Sequence, residues 1–354
     1  MAAIGIRIGT RSSALAMWQA NRVREELEAL GVSVEIVPIK TSGDKNRSGP
    51  IANIGAQGAF TREIQTALLE NRIDLAVHSL KDLPTEPVPG LWFAATLDRE
   101  DVRDVFVSSR FAGLDELPDG ARLGTGSLRR RCQVVHRLGG RAVAVEDIRG
   151  NVETRLKKMD SGEYDAVVLA VAGLVRLGLG ARAPETARLD PREFLPAVGQ
   201  GALGLETRMD DEKTNGILRR LNRVANYLAV VAERRMLMEL KGGCIAPIGA
   251  LTEWRGARLV LRGRVLSLDG SEQYDAVAEA DFSGMGIPVC GTNVSKGAGG
   301  ELPAGAVAKA EELGRNAADA LVARGAGVVM EEIQTARWGH GIGGGGSGRD
   351  GTEA

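Results

Sequence analysis

Short β-branched runs alternate with longer stretches of helical periodicity through the first two hundred residues, and no other feature restricts the fold of this chain as strongly. Strands are expected at Ile4 to Ile8, Val34 to Ile39, Leu75 to Val77, Val105 to Ser108, Val143 to Val145 and Ala166 to Ala170. Helical stretches such as Ala14 to Leu30 and Gly58 to Asn71 lie between them. In the second of these, Phe60, Ile64, Ala67 and Leu68 recur at a spacing that buries one face. Such alternation predicts parallel sheets covered by helices, an α/β architecture.

Two segments interrupt the rhythm with charge and turn residues: Asp98 to Asp104, and Leu195 to Gly201 with Pro196 and Gly199-Gln200-Gly201. If the chain leaves a first sheet at one and returns at the other, Ala202 to Glu206 becomes a strand of that sheet. The two crossings then hinge a pair of lobes over a cleft. The expected division is residues 1–98 with 201–216 as a split first domain and 99–200 as the second. Residues 217–338 form a smaller α+β third domain. Around the start of that third domain, helical periodicity from Thr214 to Lys241 sets Ile217, Leu221, Val224, Leu228 and Val231 on one stripe and stops at Gly242-Gly243. Alternation in Leu259-Val260-Leu261 and Tyr274 to Ala280 predicts an antiparallel sheet, with a helix near Val307 to Ala323. Ser283 to Gly305, which contains Cys290, reads as a loop insertion. Residues 339–354, half of them glycine, read as a disordered tail.

Acidic and basic residues nearly cancel, 46 against 45, so no global field draws the chain to nucleic acid or anionic lipid. Any anion binding must be local. The longest apolar run, Ala166 to Val175, is about half the roughly 20 residues that span a bilayer. Cys132, Cys244 and Cys290 are far apart and odd in number, which suggests neither a disulfide framework nor a zinc site. No signal or transit peptide is expected at the first residues, and a cytoplasmic location is. The 36 arginines outnumber the nine lysines fourfold. A GC-rich genome would produce that bias, and so would a need for guanidinium forks that grip carboxylates in pairs. Position has to decide.

Five segments carry candidate chemistry. Arg11-Ser12-Ser13 follows the opening strand and precedes a helix, where an anion pocket or a plain Ser13 cap fits equally. Lys81 and Asp82 stand directly after a strand, one able to hold an anion and the other to stabilise charge or handle a proton; nearby His78 reads as structural. Gly124-Thr125-Gly126-Ser127 leads into Arg129-Arg130 and Arg131, and since successive helical side chains fan out by about 100°, two should face inward and one outward. The spacing matches no phosphate loop. Arg149 and Arg155 flank a helix start capped by Asn151, and Arg176 follows the buried strand at the same end of the second sheet. Six or seven cations converging on one cleft imply a ligand with several carboxylates. Finally, Cys244 leaves a helix through Gly242-Gly243 and is fixed ahead by Pro247, a constrained turn that suits projection into a cleft. Most isolated cysteines are inert, and that punctuation is the argument against inertness here.

In combination these blocks resemble the porphobilinogen deaminase (hydroxymethylbilane synthase) family. The resemblance rests on ER-x-M-L-x(4)-GGC-x-x-PIGA around Cys244 and on RIGTRSSALAMWQA, AVHSLKDLP, GTGSLRRRCQ, RGNVETRL, AVAGLVRLGL and PAVGQGAL, in that order, over residues 4 to 325. It implies two α/β domains like those of periplasmic binding proteins with a hinged cleft. A smaller α+β C-terminal domain would carry dipyrromethane through a thioether at Cys244. It also implies an enzyme, a transferase that adds four porphobilinogen units to this primer with loss of ammonia and then releases hydroxymethylbilane by hydrolysis. Asp82 would be the catalytic carboxylate, contacting pyrrole N–H groups. Lys81, Ser127, Arg129 and Arg130 would hold the cofactor's carboxylates, and Arg11, Ser13, Arg149, Arg155 and Arg176 would hold substrate or growing chain. Phe60, Gln19 and Gln200 fall in matching blocks. The only expected partner is porphobilinogen, without nucleic acid or membrane, and the chain should be a monomer. Asn53 and Gln57 stand where many relatives carry lysines, so that loop is given no substrate contacts. Two rival classes follow from the residues alone. A non-catalytic two-lobed carboxylate-binding protein explains the arginines but not Lys81-Asp82 or the Cys244 turn. A thiol acyl transferase lacks a histidine recognisably paired with Cys244.

Overall fold

The computed structural model describes residues 5–45, 58, 60–243, 246–287 and 300–338. Cys244, Cys290, Asn53, Gln57 and the glycine-rich tail 339–354 lie outside the described residues. In chain order the elements are β1 (Gly5–Thr10), α1 (Ala14–Ala29), β2 (Ser33–Pro38), α2 (Ser42–Lys45), α3 (Arg62–Leu69), β3 (Leu75–Ser79), a 3-10 turn (Leu80–Asp82) and β4 (Leu91–Ala95). Then follow β5 (Asp104–Val107), β6 (Arg122–Gly124), α4 (Leu128–Leu138), β7 (Ala144–Glu146), α5 (Val152–Asp160), β8 (Ala166–Ala170) and α6 (Val171–Arg176). The chain continues through β9 (Leu203–Arg208), α7 (Glu212–Leu221), α8 (Val224–Glu239), β10 (Ile248–Arg255), β11 (Arg258–Leu266), β12 (Gln273–Asp281), α9 (Ala306–Leu321) and α10 (Gly327–Trp338).

Among the described residues the strands form three sheets, with orders β2-β1-β3-β9-β4, β5-β8-β6-β7 and β10-β11-β12. The fold is α/β in the first two lobes and α+β in the third. The expectation of purely parallel lobe sheets needs correction. β9 runs antiparallel to both β3 and β4, and β5 runs antiparallel to β8. Both antiparallel strands adjoin the interlobe crossings, so they enter their sheets from the hinge side rather than through a crossover helix. In β8, Val167 and Leu169 join one buried cluster while Ala166 and Val168 join another, the period-two signature of a strand buried on both faces.

A second correction concerns the long helix expected from Thr214 to Lys241. It is split, because Asn222 and Arg223 adopt extended backbone conformations between α7 and α8. The Asn222 side chain accepts from the Thr96 amide at 3.1 Å, and the Arg223 amide donates to the Thr96 carbonyl at 2.9 Å. A tertiary contact therefore overrides helical periodicity. At the far end Lys241 takes the first left-handed conformation, with φ 51°, followed by Gly243 with φ 60°.

The two interlobe crossings run side by side: the Glu100 amide donates to the Gly201 carbonyl at 3.1 Å. Gly201 has φ 85°, and a Cβ there would stand 2.3 Å from the Glu100 carbonyl oxygen, so only glycine fits. The third lobe straddles this junction. On α8, Glu233 is fully buried and takes both arms of Arg99 at 2.7 and 3.0 Å, the Gly199 amide at 2.8 Å and the Thr252 hydroxyl at 2.6 Å. One turn of the same helix therefore binds both crossings and β10.

Candidate active site

Most candidate side chains stand just past a strand or in the first turn of a helix, because local sequence terminates elements there, while Arg176 closes α6. Ser13 caps α1 by accepting from the Ala16 amide, Ser127 caps α4 by accepting from the Arg130 amide, and Asn151 caps α5 by accepting from the Thr154 amide. The segments that follow β1, β3 and β8 open on a common space between the lobes, and α4 reaches it through Arg130. It consists of two hollows of about 540 and 430 Å³ that share Leu15, Gln19 and Ser79 and so form one continuous cleft.

Lys81, Arg130, Arg155 and Arg176 line the larger hollow, with Gln200 from the hinge. Arg11, Ser13, Asp82, Phe60 and His78 line the smaller one. Asp82 is exposed, and the Arg11 guanidinium lies 4.1 Å from the Phe60 ring centroid. Ser127, Arg129 and Arg149 line neither hollow. As the fan of α4 side chains predicts, Arg129 and Arg130 are buried and Arg131 is exposed. Cys244 falls outside the described residues, between the buried Gly242 and Ala246.

Sequence reasoning missed the group that organises these arginines. Asp104, with no exposed surface, receives Arg130 at 2.7 Å and Arg129 at 2.8 Å. Burial alone would raise the Asp104 carboxyl, but the two guanidinium groups hold it well below the usual carboxylate range. Gln200 extends the network: its Nε2 donates to Asp104 at 2.9 Å and to the Val102 carbonyl at 2.7 Å, while its Oε1 accepts from Lys81 Nζ at 3.4 Å. The only hint in the sequence is a carboxylate opening an otherwise apolar strand.

A second unforeseen residue is Arg234. From α8 it donates to the carbonyls of Leu83 at 2.9 Å and Pro84 at 2.7 Å, immediately beyond Asp82, and so anchors the turn that presents that carboxylate. His78 is structural, as expected: its Nε2 meets Glu206 at 3.1 Å, and Gln65 donates to the other Glu206 oxygen at 2.9 Å, all three buried.

The cleft cations are held at a cost. Burial, followed by the neighbouring Arg130, pushes Lys81 down to about 8, with Asp82 and Asp104 opposing. Burial likewise brings Arg155 down to about 10, assisted by Arg130 and Arg149, and burial brings Arg176 to about 10 against Glu100. Arg129 Nε, Arg149 Nη2 and Arg176 Nε are buried without hydrogen-bond partners among the described residues. A buried, under-satisfied cation gains from an anion that replaces its lost water. Of these three Arg176 lines the cleft, and with Lys81, Arg130 and Arg155 beside it the lining fits a ligand bearing several carboxylates, as a dipyrrole with acetate and propionate arms does.

Fold and cleft together define a two-lobed α/β protein with a third domain braced across its hinge, built to enclose a polyanion. The porphobilinogen deaminase, dipyromethane cofactor binding domain family model matches residues 6–216, and the porphobilinogen deaminase, C-terminal domain model matches residues 227–323. Porphobilinogen deaminases from two strains of Acidithiobacillus ferrooxidans, ATCC 53993 / BNL-5-31 and ATCC 23270, are each 47% identical over 296 residues, covering 83% of this chain and 95% of theirs. Among solved structures, lipoprotein Tp32 from Treponema pallidum is 15% identical with a TM-score of 0.40, over 63% of this chain and 94% of its own. The methionine-binding protein MetQ is 13% identical with the same TM-score, over 65% and 94%. The chain belongs to the porphobilinogen deaminase family, dipyrromethane-dependent transferases of tetrapyrrole and heme biosynthesis. The reading as a non-catalytic carboxylate binder gives way to an enzyme.

Proposed function

We propose that Asp82 and the cleft cations carry the family's reaction in this chain, on a dipyrromethane primer attached through a thioether to Cys244. The reaction adds four porphobilinogen molecules one at a time with loss of ammonia, and hydrolysis then frees hydroxymethylbilane. When bound, the primer supplies the free pyrrole α-carbon that joins each deaminated substrate.

The protein's own groups have separate tasks. Lys81, Ser127 and Arg130 hold primer carboxylates, and Arg129, turned toward Asp104 and the Leu195 carbonyl, supports them from behind through its charge. Arg11, Ser13, Arg149, Arg155 and Arg176 hold the carboxylates of substrate and chain. Positive charge spreads onto the pyrrole nitrogen as ammonia leaves, and Asp82 stabilises it while accepting the N–H. The division into residues 1–98 with 201–216, 99–200 and 217–338 lets two lobes close around a chain carried by the third. The enzyme works as a cytoplasmic monomer without nucleic acid or membrane partners; no helix among the described residues is long and apolar enough to cross a membrane.

One observation supports this reading above the others: the hollow lined by Lys81, Arg130, Arg155 and Arg176 is continuous with the one that contains Asp82. Intact mass of the purified protein tests it. Two linked pyrrole units of extra mass on the Cys244 peptide are expected, absent in C244S. For D82N the added mass should persist while turnover drops by about a hundredfold or more, because an amide cannot stabilise a cation as a carboxylate does. An unmodified Cys244 peptide in active enzyme, or near-normal turnover in D82N, contradicts the assignment.

A further inference from the structure

Arg176 closes α6 in the second lobe and is 7% exposed. Its Nη2 donates to the Gly201 carbonyl at 2.6 Å, at the hinge, while its Nε is buried without a partner among the described residues. From the other lobe the Trp18 ring of α1 approaches it, with the guanidinium carbon over the indole at 5.6 Å from the ring centroid, within cation–π range. Trp18 is 38% exposed, unusual for so large an apolar side chain. The two helices also touch deeper in, where a Cβ on Gly173 would reach Leu15 at 4.0 Å. Leu15 and Gln19, on the same helix as Trp18, line the hollow that Arg176 faces.

We propose that Trp18 is a positioning residue for substrate binding, acting as an interlobe latch that stacks on Arg176 and fixes its guanidinium plane toward substrate carboxylate. The hinge carbonyl holds one edge and the indole holds one face, so the remaining edge is pre-aimed into the cleft. Cation–π stacking strengthens when the cation is stripped of water, as Arg176 is. Separation of the lobes removes the indole from the guanidinium, so the contact exists only when the two helices are adjacent. The proposal rests on Arg176 binding substrate.

The test is steady-state kinetics of the cofactor-loaded enzyme with porphobilinogen for wild type, W18L, W18F and R176A, combined with tryptophan emission on substrate addition. W18L should raise KM about fivefold with kcat within about twofold, W18F should recover most of that loss, and the emission change expected of wild type should be absent in W18F. An unchanged KM in W18L, or equal defects in W18L and W18F, overturns the latch. An emission change that survives in W18F overturns it too, even if W18L folds poorly. R176A separates the two levels: impaired R176A beside normal W18L refutes Trp18 alone, whereas unchanged KM in R176A refutes the substrate role of Arg176 and the latch with it.

Discussion

Asp104 is a single carboxylate holding two arginines and a glutamine inside the protein, and its removal should be felt in more than one way. In D104N two buried guanidinium groups lose their counter-charge, a change that typically costs about 3–5 kcal/mol. The pH dependence carries a sign. A carboxyl whose folded pKa is depressed contributes stability that is fully present above its unfolded value of about 4 and is lost as pH falls below it. Thermal unfolding of wild type should therefore decline more steeply than that of D104N as pH drops from about 5 to 3. Parallel curves would remove Asp104 from the acid response. At this scale the sequence was informative only where chemistry is local. Ser13 and Asn151 were readable as helix starts because a cap bonds three residues ahead. Asp104 could not be matched to Arg129 and Arg130, since nothing in a sequence says which of 36 arginines will lean on which carboxylate.

Among the elements, the paired crossings are the narrowest part of the design. The Gly201 site leaves 2.3 Å for a Cβ facing the Glu100 carbonyl, and its positive φ adds strain to any other residue. G201A should lose about 3 kcal/mol or more in chemical denaturation, and its turnover should fall because Gln200 and the Arg176 anchor shift with the backbone. A G201A enzyme with the wild-type midpoint would show that the crossings give way freely. The expected strands over 34–39, 75–77 and 166–170 correspond to β2, β3 and β8, since the alternation of apolar residues is a local signal. The break at Asn222 and Arg223 was invisible for the converse reason: apolar residues at 217, 221, 224 and 228 keep helical spacing straight through it. Only the carbonyl and amide of Thr96, more than a hundred residues away in sequence, open the chain there.

For the molecule as a whole, near-zero net charge conceals a strongly cationic interior cleft. Attraction of a dicarboxylate substrate into it should weaken as salt screens the mouth, while buried contacts within are screened less. KM for porphobilinogen should therefore rise several-fold between about 0.05 and 0.5 M salt with kcat little altered. A flat KM would place the decisive contacts entirely inside. The third lobe also joins the design at this scale: Glu233 clamps both crossings, and Arg234, its neighbour on α8, holds the turn that carries Asp82. The interlobe crossings and the turn that presents Asp82, the proposed catalytic carboxylate, are therefore held by one helix.

Sequence by itself was enough to establish the α/β class, the antiparallel third sheet, and membership of a family whose motif blocks lie in a recognisable order. Each of these depends on neighbours within a few turns of chain or on short contiguous blocks. What only the tertiary structure decided is which distant groups meet: Asp104 with Arg129 and Arg130, Glu233 with Arg99, and Trp18 with Arg176. Such pairs are selected by packing and desolvation within and between lobes, where the free energy of a contact depends on what has been excluded around it rather than on residues adjacent in the chain.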